Sequence, residues 1–155
     1  MKKLLLTLFI GLSLFGQVSA KEKNSPFYVA AKIGLLGGGN GIVDDAINAA
    51  FDIGYRNNRY VSTEVEYTTT FVNGEAGNGN DWDVDALSVF AAFRTNTEVK
   101  LKAKIGLSSV SNNSGLEIST GLGVGFWAAG GLMEIEYTKL GDDLSFFSVG
   151  VNYFY

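Results

Sequence analysis

Residues 98–107 read EVKLKAKIGL, in which Lys100, Lys102 and Lys104 alternate without a break with Val99, Leu101, Ala103 and Ile105. A period of two places the cations on one face of a strand and only apolar atoms on the other. Such a strand has two homes. In a soluble barrel the lysines point to water. In a barrel surrounded by lipid they point into the lumen, and the apolar face meets acyl chains.

The pattern recurs along the chain. FYVAAKIGL sets Phe27, Val29, Ala31, Ile33 and Leu35 against Tyr28, Ala30, Lys32 and Gly34, with Pro26 just ahead, where a strand tolerates it. AFDIGYR sets Phe51, Ile53 and Tyr55 against Asp52, Gly54 and Arg56. YVSTEVEYTTTF sets Val61, Thr63, Val65, Tyr67 and Phe71 against Ser62, Glu64, Glu66 and Thr68. DALSVFAAFR places Leu87, Val89, Ala91 and Phe93 on its apolar face and Phe90 on the other. Beyond the lysine strand, LEISTGLGVGF opposes Leu116, Ile118, Leu122, Val124 and Phe126 to Glu117, Ser119, Gly121, Gly123 and Gly125. MEIEYT opposes Met133, Ile135 and Tyr137 to Glu134, Glu136 and Thr138. FFSVGVNYFY opposes Phe147, Val149, Val151, Tyr153 and Tyr155 to Ser148, Gly150, Asn152 and Phe154. Eight strands are expected. All but the short second one reach the roughly 9–11 tilted residues that cross hydrocarbon.

The connections alternate too. Asn57-Asn58, Thr95-Asn96-Thr97 and Ala128 to Gly130 are short turns, whereas 37–48, 72–82 and 109–115 are longer, and Gly141 to Leu144 is a short fourth loop. Short turns at one end and longer loops at the other are an outer-membrane barrel trait. An even strand number brings both termini to the short-turn side, the periplasm.

The N-terminal MKKLLLTLFIGLSLFGQVSA has a basic start, an apolar middle and the small residues Ser19 and Ala20 at its end. That is the grammar of a secretory signal peptide. We expect cleavage after Ala20, a short leader at 21–26 and a barrel domain at 27–155. Loss of Lys2 and Lys3 moves the formal charge from −4 to −6. No later segment approaches the roughly 18 consecutive apolar residues of a spanning helix. The chain has no cysteine, hence no disulfide or thiolate metal site. It has no histidine, the commonest general base and transition-metal ligand.

Two features favour the lipid solution. Outward aromatics gather near strand ends: Phe27, Tyr55, Phe93, Phe126, Tyr153 and Tyr155 at the short-turn rim, and Phe71, Tyr137 and Phe147 towards the other. Two aromatic bands about an aliphatic belt suit two membrane interfaces. The inward set carries both signs: Lys32, Arg56, Arg94, Lys100, Lys102 and Lys104 against Asp52, Glu64, Glu66, Glu117, Glu134 and Glu136. Buried charges need partners, and Gly121, Gly123 and Gly125 leave room for long side chains. An ordinary solvated surface also mixes charges, so this feature alone does not decide.

The C-terminal SVGVNYFY, with Ser148, Gly150, Tyr153 and the final Tyr155, resembles the signal by which bacterial outer-membrane barrels are recognised for assembly. Tyr155 stands where the family more often has Phe. With GLGVGF in the sixth strand, residues 27–155 resemble the small eight-stranded outer-membrane barrels of the OmpA/OmpX-like group. The resemblance implies an all-β, up-and-down transmembrane barrel, with outer-membrane lipid, lipopolysaccharide and the barrel-assembly machinery as partners.

Enzymes among the small outer-membrane barrels use a histidine, which this chain lacks. Glu64/Glu66 and Glu134/Glu136 are spaced for carboxylate chemistry, but structural ion pairs explain them better. The loops hold Asp44, Asp45, Glu75, Asp81, Asp83, Asp85, Asp142 and Asp143, with no Lys or Arg. Their spacing lacks the glycine and distal glutamate of an EF-hand, so solvated acidic loops are the better reading. No cofactor is implied, and no basic aromatic surface suggests nucleic acid. The expected function is non-enzymatic: structural, or contact through acidic extracellular loops. Two alternatives stay open: a secreted lipocalin-like carrier whose Val99–Leu107 face lines an apolar cavity, and a narrow low-conductance channel.

Overall fold

The computed structural model describes residues 26–38, 42–76, 78–111, 115–128 and 130–155. The expected signal peptide and leader residues 21–25 lie outside the described residues. Among the described residues eleven strands are present: β1 (Phe27–Gly38), β2 (Ile42–Asp44), β3 (Ala46–Arg56), β4 (Val61–Val72), β5 (Gly74–Ala76), β6 (Asp81–Trp82), β7 (Asp85–Arg94), β8 (Val99–Val110), β9 (Leu116–Ala128), β10 (Gly131–Leu140) and β11 (Leu144–Phe154). The eight long ones form a closed antiparallel barrel in the order β1-β11-β10-β9-β8-β7-β4-β3. β1 closes it by pairing with both β3 and β11, so that Ile33 lies opposite Ala49 on one side and Val149 on the other.

The alternation of the sequence becomes the two faces of this wall. Leu101 is 59% exposed and Ile105 53%, while Lys102 and Lys104 between them are 3% exposed. Buried and exposed have traded their usual occupants: apolar residues cover the outside, and ionisable groups fill the inside. The Val99–Leu107 face therefore lines no internal cavity, which removes the lipocalin-like arrangement.

Several local features differ from the sequence expectations. β3 starts at Ala46 and β8 runs to Val110, so the first and third loops are shorter than their polar composition suggested. The Asn57-Asn58 turn extends to Tyr60. Asn58 Oδ1 accepts hydrogen bonds from the Tyr60 and Val61 amides at 2.8 and 3.0 Å, an Asx turn that replaces a two-residue hairpin. Segments of the two longest loops pair into a separate three-stranded sheet, β2-β5-β6. Outward Phe51, opposite Ala31 and Tyr67, sits in the middle of the belt between the aromatic bands.

Candidate functional site

The lumen is the chemically distinctive part of the molecule. Lys32 Nζ of β1 lies 2.8 Å from Asp52 Oδ2 of β3, 2.5 Å from Glu66 Oε2 of β4 and 3.0 Å from Glu136 Oε1 of β10. Lys104 Nζ of β8 shares two of these partners, Glu66 at 3.0 Å and Glu136 at 2.5 Å. It also sits 4.1 Å from the centroid of Phe90, a cation–π contact. One inward step along β8, Lys102 Nζ meets Glu136 Oε2 at 2.7 Å and Glu64 Oε2 at 2.9 Å, with Glu134 Oε2 at 3.6 Å.

Arg94 of β7 closes the network towards the turn end. Its guanidinium bonds Glu134 through Nε at 2.8 Å and through Nη2 at 3.1 Å, a bidentate grip, and Nη2 reaches Glu64 Oε1 at 2.7 Å. Nη1 donates to Tyr28 OH and Ser62 Oγ, both at 3.0 Å, and the Tyr28 hydroxyl donates to Glu64. Asn152 Nδ2 of β11 donates to Glu134 Oε2 at 2.9 Å, and Thr138 Oγ1 to Glu136 Oε1 at 2.9 Å. Strands β1, β3, β4, β7, β8, β10 and β11 are thereby tied across the lumen. β9 takes part by giving way: a Cβ on Gly121 would fall 2.7 Å from Lys104 Cε. Gly150 of β11 makes the same room for Lys32, whose Cγ lies 2.6 Å from the position of a Cβ.

Among the described residues these ion pairs join four cations to five carboxylates, a formal charge of −1 with every group ionised, in side chains that are almost wholly buried. The geometry is multidentate, as a buried charge requires. It is poor for catalysis. Each of Glu64, Glu66, Glu134 and Glu136 faces at least two cations, and none faces open solvent.

Of the twelve residues that the inward alternation singles out, the network gathers Lys32, Asp52, Glu64, Glu66, Arg94, Lys102, Lys104, Glu134 and Glu136. Three lie elsewhere. Arg56 stacks its guanidinium 4.8 Å from the Phe154 ring at the turn end. Lys100 is there too, with Nζ 3.4 Å from Thr97 O. Glu117 lies at the loop end, against Gly141. Ser148, Gly150, Tyr153 and Tyr155 all belong to the strand that closes the barrel on β1: Ser148 is buried inward, Tyr153 is half-buried and Tyr155 is exposed. Asp45, Glu75, Asp81, Asp83, Asp85, Asp142 and Asp143 are exposed at the loop end. Among the described residues the acids form no cluster suited to a metal ion.

Sequence reasoning missed the other half of the lumen. Towards the loop end Leu36, Ala50, Val84, Ala86, Phe90, Val110, Leu140 and Phe146 pack into an apolar cluster, with Trp82 and Leu144 against it. Trp82 and Val84 come from the second loop, and Val84 is clamped by Thr70, whose Oγ1 accepts from its amide at 2.8 Å. The signal was present: Leu36 and Phe146 are apolar at inward positions. Charged layer and apolar layer together line the lumen with side chains from the turn end to the loop end.

No protein-family model matches the chain, and no curated protein matches it. Solved structures do. The chain is similar to Neisserial surface protein A at 18% identity, over 84% of this chain and 98% of that one, with a TM-score of 0.58. It is similar to the Yersinia pestis outer membrane protein Ail, solved in a phospholipid bilayer nanodisc, at 17% identity, 83% and 99% coverage and a TM-score of 0.54. A de novo designed transmembrane β-barrel aligns at 15% identity, 86% and 98% coverage and a TM-score of 0.60. At these identities the likeness is one of fold: a closed eight-stranded antiparallel barrel.

Proposed function

We propose that this chain is a non-enzymatic barrel of a Gram-negative outer membrane, with both termini in the periplasm and its acidic loops at the cell surface. The observation that carries the reading is the inverted wall. A continuous outer surface of Ile33, Phe51, Ile53, Leu87, Val89, Leu101, Ile105, Leu122 and Phe147 is between about 48% and 68% exposed, far more apolar area than a soluble protein shows to water. Lipid is the solvent that suits it. The ion pairs account for the carboxylates structurally, and the role left is that of a rigid scaffold presenting loops. Because the loop rim is acidic, contact with lipopolysaccharide phosphates there works through bridging divalent cations. In the final strand, Tyr153 and Tyr155 with Ser148 and Gly150 serve recognition by the barrel-assembly machinery.

Fractionation of expressing cells tests this. The protein is expected in the outer-membrane pellet, soluble only with detergent, and to shift in gel mobility on boiling, as folded barrels do. Recovery in the detergent-free periplasmic fraction would overturn the reading.

A further inference from the structure

The turn end carries two cavities that meet. One, of about 50 Å³, opens at the mouth of the lumen and is lined by Arg56, Arg59, Arg94 and Lys100 with the aromatic rings of Tyr60, Trp127 and Phe154. The other, of about 630 Å³, is a groove on the outer wall, lined by apolar Phe93, Leu101, Ala103 and Leu122. Tyr60, Arg94, Thr95 and Asn96 line both. No acid lines either, although Glu98 lies in the same turn. Arg94 is committed to Glu64 and Glu134. Arg59 is exposed and holds its guanidinium 4.6 Å from the centroid of the shared Tyr60 ring. Among the described residues Lys100 has only the long bond to Thr97 O described above.

We propose that this junction binds one anionic glycerophospholipid of the periplasmic leaflet: an acyl chain in the outer groove, and the phosphate on Arg59 and Lys100. The proposal rests on the membrane orientation given above. Two features select the ligand. A groove on the lipid-facing wall is open to acyl chains rather than to solutes; its own lining cations, Arg94 and Lys102, are turned to the lumen carboxylates, but it adjoins the mouth where Arg59 and Lys100 stand and no acid lines either cavity. A phosphate accepts charge-assisted hydrogen bonds from both basic groups. The opposite side of the barrel supplies an internal control. There a groove of about 410 Å³ is floored by Ala31 and Ala49 beside Phe51, Tyr67 and Phe71, and Lys32, the one cation lining it, turns its ammonium into the lumen. That groove has nothing with which to choose a headgroup.

Native mass spectrometry of the full mature chain, folded in mild detergent, tests the site. The probes are phosphatidylglycerol and phosphatidylcholine with identical chains, and glycerol 3-phosphate as a headgroup without chains. Each basic side chain near an anionic surface is worth about fivefold in affinity. The wild type should therefore retain one phosphatidylglycerol with about a 25-fold preference over phosphatidylcholine. Arg59→Gln with Lys100→Gln should abolish the preference, and exposed Arg59→Gln alone should cut it about fivefold. Ala103→Phe, which fills the groove without adding polarity, should weaken retention of both lipids. Equal retention of the two lipids by the wild type, or an unchanged preference in the glutamine variants, overturns the proposal. Glycerol 3-phosphate binding as tightly as the lipid overturns it in favour of a soluble-phosphate site. Heat-modifiable gel mobility, measured on each sample, separates the two readings. A heat-modifiable barrel without headgroup preference refutes only the lipid site, whereas a detergent-free soluble chain without that shift refutes the membrane reading beneath it.

Discussion

The charge count of the lumen makes an asymmetric prediction. With five carboxylates and four cations, neutralising a carboxylate brings the set to balance, while neutralising a cation leaves two negative charges uncompensated. Lys102 and Asp52 are the extremes. Lys102 has three carboxylates within 3.6 Å, and its loss leaves Arg94 as the one cation paired with Glu64 and Glu134 among the described residues. Asp52 has Lys32 as its one ion-pair partner among the described residues, while Lys32 keeps Glu66 and Glu136 without it. Removing one member of a buried ionic set costs about 3–5 kcal/mol, so Lys102→Met should lose that much. Asp52→Asn keeps the volume and removes the excess charge, and should change stability by no more than about 1 kcal/mol, the net worth of one ordinary hydrogen bond. Urea unfolding in lipid vesicles, followed by tryptophan fluorescence, measures both. The loss in Lys102→Met should persist at high salt, because buried pairs are poorly screened. Adding Glu64→Gln to Lys102→Met restores the residual charge to −1 and should recover part of it, a coupling on the order of 0.5–3 kcal/mol. An Asp52→Asn loss equal to or above that of Lys102→Met would refute the charge-balance argument.

On the outer wall, Ile105→Arg, midway along β8, should cost about 2–4 kcal/mol in the same assay, and a neutral result would contradict the lipid-facing assignment. Gly150→Val drives a side chain into Lys32 and the Ala31 carbonyl, whose oxygen lies 2.8 Å from the position of a Cβ. Overpacking of this kind costs about 1–3 kcal/mol, to be seen as a lowered urea midpoint. Changing Tyr153 and Tyr155 to Ser should leave export intact but lower the amount of heat-modifiable barrel in cells, whereas normal assembly would remove the recognition role proposed for them.

The barrel was legible because its strands repeat with a period of two over ten or more residues, and the period alone sorts Leu101 from Lys102. Even β7, with Phe90 on its polar side, has the register that the alternation gives: Leu87, Val89 and Phe93 outward and Phe90 inward. What was not legible has physical causes. β2, β5 and β6 are two or three residues long, too short to show a period, and are held by pairing between two loops distant in sequence. Arg56, Lys100 and Glu117 share the inward parity of the network, but parity says nothing of height along the axis. They lie near strand ends, away from the layer in which the other nine meet. The apolar cluster under the loops was hidden by the assumption that an inverted wall has a uniformly polar interior. Phe146 and Leu140 show that the loop end of the lumen is capped as an ordinary core is.

Why the middle of the lumen is ionic when the loop end is apolar follows from register. A slip by one residue exchanges the faces of a strand. If the whole lumen were apolar, a slipped β8 would present apolar residues to lipid and to lumen alike, and nothing would oppose the error. With Lys102 and Lys104 inside, the slip drives two ammonium groups into hydrocarbon, at about 2–4 kcal/mol each near the midplane. It also leaves their carboxylates unpaired, on the order of another 3–5 kcal/mol for each broken set. The network thus specifies register whatever its net contribution to stability. Replacing Lys32, Lys102, Lys104 and Arg94 by Met, and Asp52, Glu64, Glu66, Glu134 and Glu136 by Leu, removes every charge from it while roughly keeping volume. Such a lumen need not be less stable, since isosteric apolar replacement of buried ions is often neutral. It should be less unique, giving several folded bands on a gel or doubled amide resonances in a nanodisc where the wild type gives one set. A single, wild-type-like set from that variant would show that the outer wall and the turns fix register without help from the charges.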